Sequence, residues 1–238
     1  MKSAFISPSE IAKTIDHSLL RPDLTVSGVR EGCAVARACG VVSVCARPSD
    51  LPILVEELAG TGILVTTTIG FPHGATSTAA KVAETRAAIA GGAVEVDMVL
   101  NIGRLRSGEH RFVEEDIRSV VEAAHAGSAI VKVILETAYL TDEQKVMACR
   151  LSEAVGADFV KTSTGFAQGG STVADLRLMR RTCGPRVRIK AAGGISTLDA
   201  ALAALAAGAD RVGTSSTPAI LDEARRRAGA SGRLSFEA

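Results

Sequence analysis

Three lysines interrupt apolar, β-branched runs at a constant interval: Lys132 in VKV, Lys161 in VKT and Lys190 in IKA, each 29 residues after the one before. A buried charge is costly unless it is paired, and several ammonium groups confined together are harder still to accommodate. Crowded cations nevertheless have a chemical use. An ordinary lysine, with a pKa of about 10.4, is neutral in only roughly 0.04% of molecules at pH 7. Desolvation and a neighbouring ammonium both favour the neutral amine, and a pKa near 7 raises that fraction about a thousandfold. A neutral amine attacks a carbonyl to give an imine. The cationic imine is then an electron sink for making or breaking a carbon–carbon bond. One lysine as nucleophile and a second to lower its pKa is the chemistry this spacing permits.

The elements that must position these lysines are short strands alternating with longer helical stretches. Eight β-branched runs stand out: AKTIDHS, VVSVCA, ILVTTTI, AVEVDMVL, AIVKVILE, DFVKTS, VRIKAA and DRVGTS. Strands separated by helical patterns imply βαβ units and a parallel sheet. Eight units at a period of about 30 residues, with no long polar linker, predict an α/β protein with a closed (β/α)₈ TIM barrel. A doubly wound open sheet is the alternative, but no G-x-G-x-x-G follows the first strand. The expected organisation is one domain over 1–238, with a short helix at about 7–12 and a peripheral tail at about 229–238. Capping boxes are expected at Thr141 with Gln144, Thr172 with Asp175 and Ser196 with Asp199.

Side chains alternate along a strand. Lys132, Ile134 and Glu136 therefore share one phase, and Val131, Val133 and Leu135 share the other. The apolar phase should meet the helices and the lysine phase should face the barrel interior. In AVEVDMVL the same rule sends Val94, Val96 and Met98 outward and Glu95 and Asp97 inward. A purely structural ion-pair network, or lysines snorkelling at a rim, would also use such residues. Asp16 and His17 are adjacent, so they face opposite sides and cannot act as a pair; Asp16 alone is a candidate for a substrate hydroxyl. Cys45 shares the inward phase of its strand with Ser43 and borders the same interior.

Turns rich in glycine and hydroxyl residues follow the last three strands, in TSTGFAQGGST, AAGGIST and GTSST. Each precedes a helix, and together they could aim backbone N–H groups at a phosphate. The rest of the composition is exclusionary. A net charge of +1 gives no electrostatic case for nucleic acid or membrane surfaces, and 3% aromatics leave no stacking platform. Five cysteines lack metal-ligand spacing, and the four histidines are too scattered to suggest a metal centre. Reduced thiols and a polar N-terminus predict a soluble, cytoplasmic protein.

Taken together, the stretches TIDHSLLRPDLT, VCARPSDL, TTTIGFPHG, GAVEVDMVLNIG, VKVILET, GADFVKTSTGF, IKAAGGI and RVGTSS resemble the class I 2-deoxyribose-5-phosphate aldolase family over roughly residues 11–217. The resemblance implies a (β/α)₈ barrel, no metal or organic cofactor, and reversible cleavage of 2-deoxy-D-ribose 5-phosphate to acetaldehyde and D-glyceraldehyde 3-phosphate in deoxyribose phosphate catabolism. It implies that Lys161 forms the imine and that Lys190 lowers its pKa and assists proton transfer. Asp97 would shuttle protons and Lys132 would support them. Phosphate and substrate contacts are expected at Gly165, Gly169, Gly170, Gly193, Gly194, Gly213, Thr214, Ser215 and Ser216, with Asp16 and Cys45 nearby. The partners would be small sugar phosphates and aldehydes, and a homo-oligomer (dimer or tetramer) is expected. Some members use a tyrosine in a C-terminal tail, whereas the only tyrosine here is Tyr139. Another imine-forming sugar-phosphate aldolase, a transaldolase, or a sugar-phosphate sensor on the same barrel remain open.

Overall fold

The architecture is taken from a computed structural model that describes residues 3–237; residues 1, 2 and 238, at the ends of the expected N-terminal extension and tail, lie outside the described residues. In chain order the elements are β1 (Ser3–Ile6), α1 (Pro8–Ala12), β2 (Ile15–Leu19), α2 (Val26–Cys39), β3 (Ser43–Ala46), α3 (Leu51–Leu58), β4 (Leu64–Ile69), α4 (Thr78–Ala90) and β5 (Glu95–Val99). They continue with α5 (Ile102–Arg106), α6 (His110–Ala126), β6 (Ile130–Ile134), α7 (Asp142–Ala154), β7 (Phe159–Lys161), α8 (Val173–Thr182), β8 (Arg188–Ala192), α9 (Leu198–Ala206), β9 (Arg211–Thr214), α10 (Thr217–Ala228) and β10 (Leu234–Glu237). Strands β2 to β9 pair in sequence order, all parallel, and β9 closes on β2. This is the (β/α)₈ barrel that the alternation predicts.

The two phases of each strand separate as expected. Val44, Val96, Met98, Val131, Val133, Val160, Ile189 and Val212 are all fully buried in the layer between strands and helices. Each such side chain contributes about 1.5–3 kcal/mol by leaving water. The other phase carries the charged side chains into the interior, where Asp16, Asp97 and Lys132 have no exposure at all.

The expected capping box forms at one of its three sites, and a second keeps only its N-cap half. Thr141 and Gln144 make the full reciprocal box. Thr172 accepts from the Asp175 amide at 3.0 Å, while the Asp175 carboxylate turns to Lys145 at 2.6 Å. The box expected at Ser196 is displaced by one residue. Thr197 is the N-cap and accepts from the Ala200 amide, because Thr197 is the residue held in the extended conformation. Asp199 is then free to accept from Arg227 of α10 at 2.5 Å. The patterning also shows no strand at either terminus, yet β1 and β10 pair antiparallel as a separate two-stranded sheet.

His17 illustrates the outward phase. Its Nδ1 lies 2.8 Å from the Thr217 hydroxyl at the start of α10, in a buried contact. Burial pushes the imidazole down to about 4, from an ordinary value of 6.5. The unfolded chain therefore binds a proton at pH 5 that the folded chain does not, and stability falls as pH falls from 6.5 towards 4. About 2 kcal/mol should be lost from this group between pH 7.5 and pH 5. Thermal melts at those two pH values should show a smaller loss for His17→Gln than for the parent protein.

Candidate active site

Lys161 ends β7, Lys190 stands beside it on β8, and the two are register partners across the parallel pair. Asp97 of β5 reaches both from across the barrel. Its Oδ2 accepts from Lys161 Nζ at 2.8 Å and from Lys190 Nζ at 2.8 Å, so the two nitrogens lie within twice that distance of each other. Its Oδ1 accepts from Lys132 Nζ at 2.9 Å. Lys132 also donates to Glu95 at 2.5 Å. Asp16 forms ion pairs with Lys190 at 2.5 Å and with Arg211 at 3.1 Å. Arg211 completes the column by donating to both Glu95 oxygens, at 2.8 and 3.0 Å.

The amines share carboxylates unequally, and this sets their protonation. Burial pushes Lys161 down and the Lys190 ammonium pushes the same way, so Asp97 alone does not hold its proton; the amine lies below the ordinary lysine value. Burial also disfavours the Lys190 ammonium, but Asp16 and Asp97 together outweigh it and hold Lys190 above that value. Lys132 is likewise raised, against burial, by Asp97 and Asp16. Burial would raise the Asp97 carboxyl, yet the three lysines keep it well below the usual range. The result is a poorly held proton on one amine, a firmly held proton on its neighbour, and an ionised carboxylate touching both.

Of the buried charged side chains among the described residues, Lys161 is the lysine that reaches a cavity of about 320 Å³ at the C-terminal ends of β2, β7, β8 and β9. Gly165, Gly193, Gly194, Gly213, Thr214, Ser215 and Ser216 line it, as the sequence pattern suggests. Gly193 and Gly194 turn the chain with φ of +85° and +77°. Thr214 pins the turns after β8 and β9 together, donating to the Ile195 carbonyl at 2.6 Å and accepting from the Ser216 amide at 2.9 Å. Gly213 serves the lysine as well: a Cβ there would sit 3.2 Å from Lys190 Cε. Pro218 falls in the first turn of α10, where a missing N–H costs nothing.

Other candidate residues fall outside the cavity lining. Gly170 packs against the Gly193 backbone, where a Cβ would meet the Gly193 carbonyl at 2.4 Å, and Gly169 lies beside Ala138. Both support the neighbouring turn. Asp16 and Cys45 are fully buried beneath the cavity. Burial, aided by Asp97, pushes the Cys45 thiol up to about 11, so it stays protonated. Tyr139 is half exposed and lines an adjoining cavity of about 300 Å³ that shares Thr164 and Phe166 with the first.

Arg211 escaped the sequence reading, and Glu136 was placed only by its strand phase beside Lys132. Arg211 lies two positions before Gly213, so the alternation of β9 alone would have found it. Glu136 sits just beyond β6 with φ of +55°, and alternation no longer governs it there. Its carboxylate accepts from the Thr164 amide at 3.2 Å and from the Thr164 hydroxyl, anchoring the segment that follows Lys161. Among the described residues no group of histidine, cysteine and carboxylate side chains could hold a metal ion.

Two buried lysines of opposite pKa shift and one shared carboxylate thus meet at the C-terminal end of a parallel barrel. The profile of the DeoC/LacD family aldolases matches residues 11–236, and the chain belongs to that family. It is 52% identical over 211 residues to the deoxyribose-phosphate aldolase of Bacillus cytotoxicus, covering 89% of this chain and 94% of that one. The same figures hold for the deoxyribose-phosphate aldolase of Bacillus mycoides. Among solved structures, the tetrameric deoxyribose phosphate aldolase from Aeropyrum pernix superposes with a TM-score of 0.85 at 31% identity, over 91% of this chain and 92% of that one.

Proposed function

We propose that this aldolase cleaves 2-deoxy-D-ribose 5-phosphate reversibly to acetaldehyde and D-glyceraldehyde 3-phosphate through an imine on Lys161. The observation that carries the reading is the sharing of one Asp97 oxygen by Lys161 and Lys190 at equal distance, at the inner end of a cavity rimmed by Gly194, Ser215 and Ser216. The 52% identity to chains named deoxyribose-phosphate aldolase supports the choice of substrate.

In this mechanism the neutral Lys161 nitrogen adds to the aldehyde carbon of the open-chain sugar. Lys190 protonates the oxygen of the resulting carbinolamine, and water leaves to give the iminium. Asp97, ionised and within reach of both lysines, accepts the proton of the 3-hydroxyl through water. The bond between carbons 2 and 3 then breaks, its electron pair flows into the iminium, and glyceraldehyde 3-phosphate departs. The remaining enamine takes a proton at carbon 2, and hydrolysis frees acetaldehyde and the amine. Hydroxyls and glycine N–H groups after β8 and β9 hold the phosphate, fixing the reacting carbons near Lys161. The ion pairs beneath keep the groups from reorienting between steps.

Further aspects of the reading are a homo-oligomer, dimer or tetramer, and a cytoplasmic location. A tetrameric relative and five cysteines without a disulfide are in keeping with them; no described helix is long and apolar enough to cross a membrane. The test of the reaction is direct. Incubation with acetaldehyde and borohydride should add one ethyl group to Lys161, detected by peptide mass. Purified protein should also cleave deoxyribose 5-phosphate far faster than deoxyribose. No adduct and no cleavage would favour a sugar-phosphate sensor.

A further inference from the structure

The buried column holds four cations, Lys132, Lys161, Lys190 and Arg211, against three carboxylates, Asp16, Glu95 and Asp97. Fully protonated, it carries one positive charge too many in an interior that tolerates none unpaired. Arginine does not release its proton in proteins. The excess must therefore be shed by a lysine. Lys190 has two carboxylate partners, and Lys132 has two close ones with a third at 3.8 Å. Lys161 has only Asp97, which it shares with both. We propose that Arg211, which does not line the substrate cavity, is an electrostatic positioning residue: its permanent charge makes the column one proton too rich and so keeps the Lys161 amine neutral.

The groups facing the column are few. β2 contributes Asp16, β3 Cys45, β5 Glu95 and Asp97, β6 Lys132, β7 Lys161, β8 Lys190 and β9 Arg211; β4 contributes the uncharged Thr66, which donates to Glu95 at 3.1 Å. Below, Phe159 closes the floor, with the Arg211 guanidinium 5.2 Å and the Arg188 guanidinium 4.0 Å from its ring. Arg188 is exposed, so water screens its charge. Above, Glu136 bonds to Thr164 and forms no ion pair with the four cations among the described residues. Cys45 remains a thiol and adds no negative charge. The balance thus turns on Arg211 against the three carboxylates.

This inference rests on Lys161 as the imine-forming residue, and the experiment separates the two. Borohydride trapping of acetaldehyde on Lys161, read by peptide mass across pH, would be run on the parent protein, Arg211→Met, Arg211→Lys and Glu95→Gln. Arg211→Met leaves three cations against three carboxylates, so the trapping midpoint should move up by about one pH unit. Glu95→Gln increases the excess and draws Lys132 more fully onto Asp97, so its midpoint should move down by about as much. Arg211→Lys, paired with the same two carboxylates, should stay near the parent midpoint. Should Arg211→Met fail to fold, Glu95→Gln decides alone. Adducts on Lys161 with an unmoved midpoint, or with both variants shifted the same way, would overturn the inference and leave the imine standing. An absent adduct in the parent protein would overturn both.

Discussion

Lys161→Ala is expected to lower turnover of deoxyribose 5-phosphate by roughly a million-fold, the scale of loss when a covalent nucleophile is removed. No other amine can take its place. Lys190 and Lys132 lie beneath the cavity, and the carboxylates that bind them keep them protonated. The loss should be in catalysis and not in folding. Lys161 is the cation with the fewest partners, so its removal leaves Asp97 still bound to two lysines. Circular dichroism and a thermal melt should show a folded protein of at least the parent's stability. Appreciable cleavage by a folded Lys161→Ala protein would remove the imine from the mechanism.

Lys190→Met is expected to act in two ways. Turnover should fall by roughly 10²–10⁴-fold, because the variant lacks the acid proposed to protonate the departing oxygen. The acidic limb of the pH–rate profile should also move upward. Lys190 opposes a charge on Lys161 and competes with it for Asp97. Removing it strengthens the hold of Asp97 on the Lys161 proton, and the neutral amine then appears only at higher pH. Two charges about 5 Å apart at an effective dielectric of about 20 predict a shift of roughly two pH units. Measured kcat/KM from pH 5 to 10 would show it; an unmoved limb would deny Lys190 its electrostatic part.

Much of this centre is legible in the chain because a closed barrel converts interval into position. Lysines at a 29-residue spacing fall on successive strands, and the period of two along each strand turns Lys161, Lys190 and Asp97 to one interior. The glycine turns after the last strands were readable for the same reason, since they sit where the catalytic face must be. What escaped depends on geometry that no local pattern carries. β1 and β10 pair across almost the whole chain, and neither four-residue strand has alternation strong enough to announce itself. Glu136 reaches Thr164 from a left-handed conformation outside its strand. Thr197 displaces Ser196 as a cap because a backbone angle, not residue type, decides between adjacent hydroxyls. Arg211 was within reach, but a cation at the first position of a strand looks like a solvated rim residue. Its importance shows only when the charges of the whole column are counted.

The most direct test is titration of the lysine side-chain nitrogens by NMR in protein carrying ¹⁵N-labelled lysine, with Lys161→Arg and Lys190→Arg to assign the signals. The account predicts that Lys161 loses its proton below the ordinary lysine value of about 10.4, while Lys190 keeps its own above it. A Lys161 signal that titrates at or above that value, or a Lys190 signal that titrates first, would contradict it.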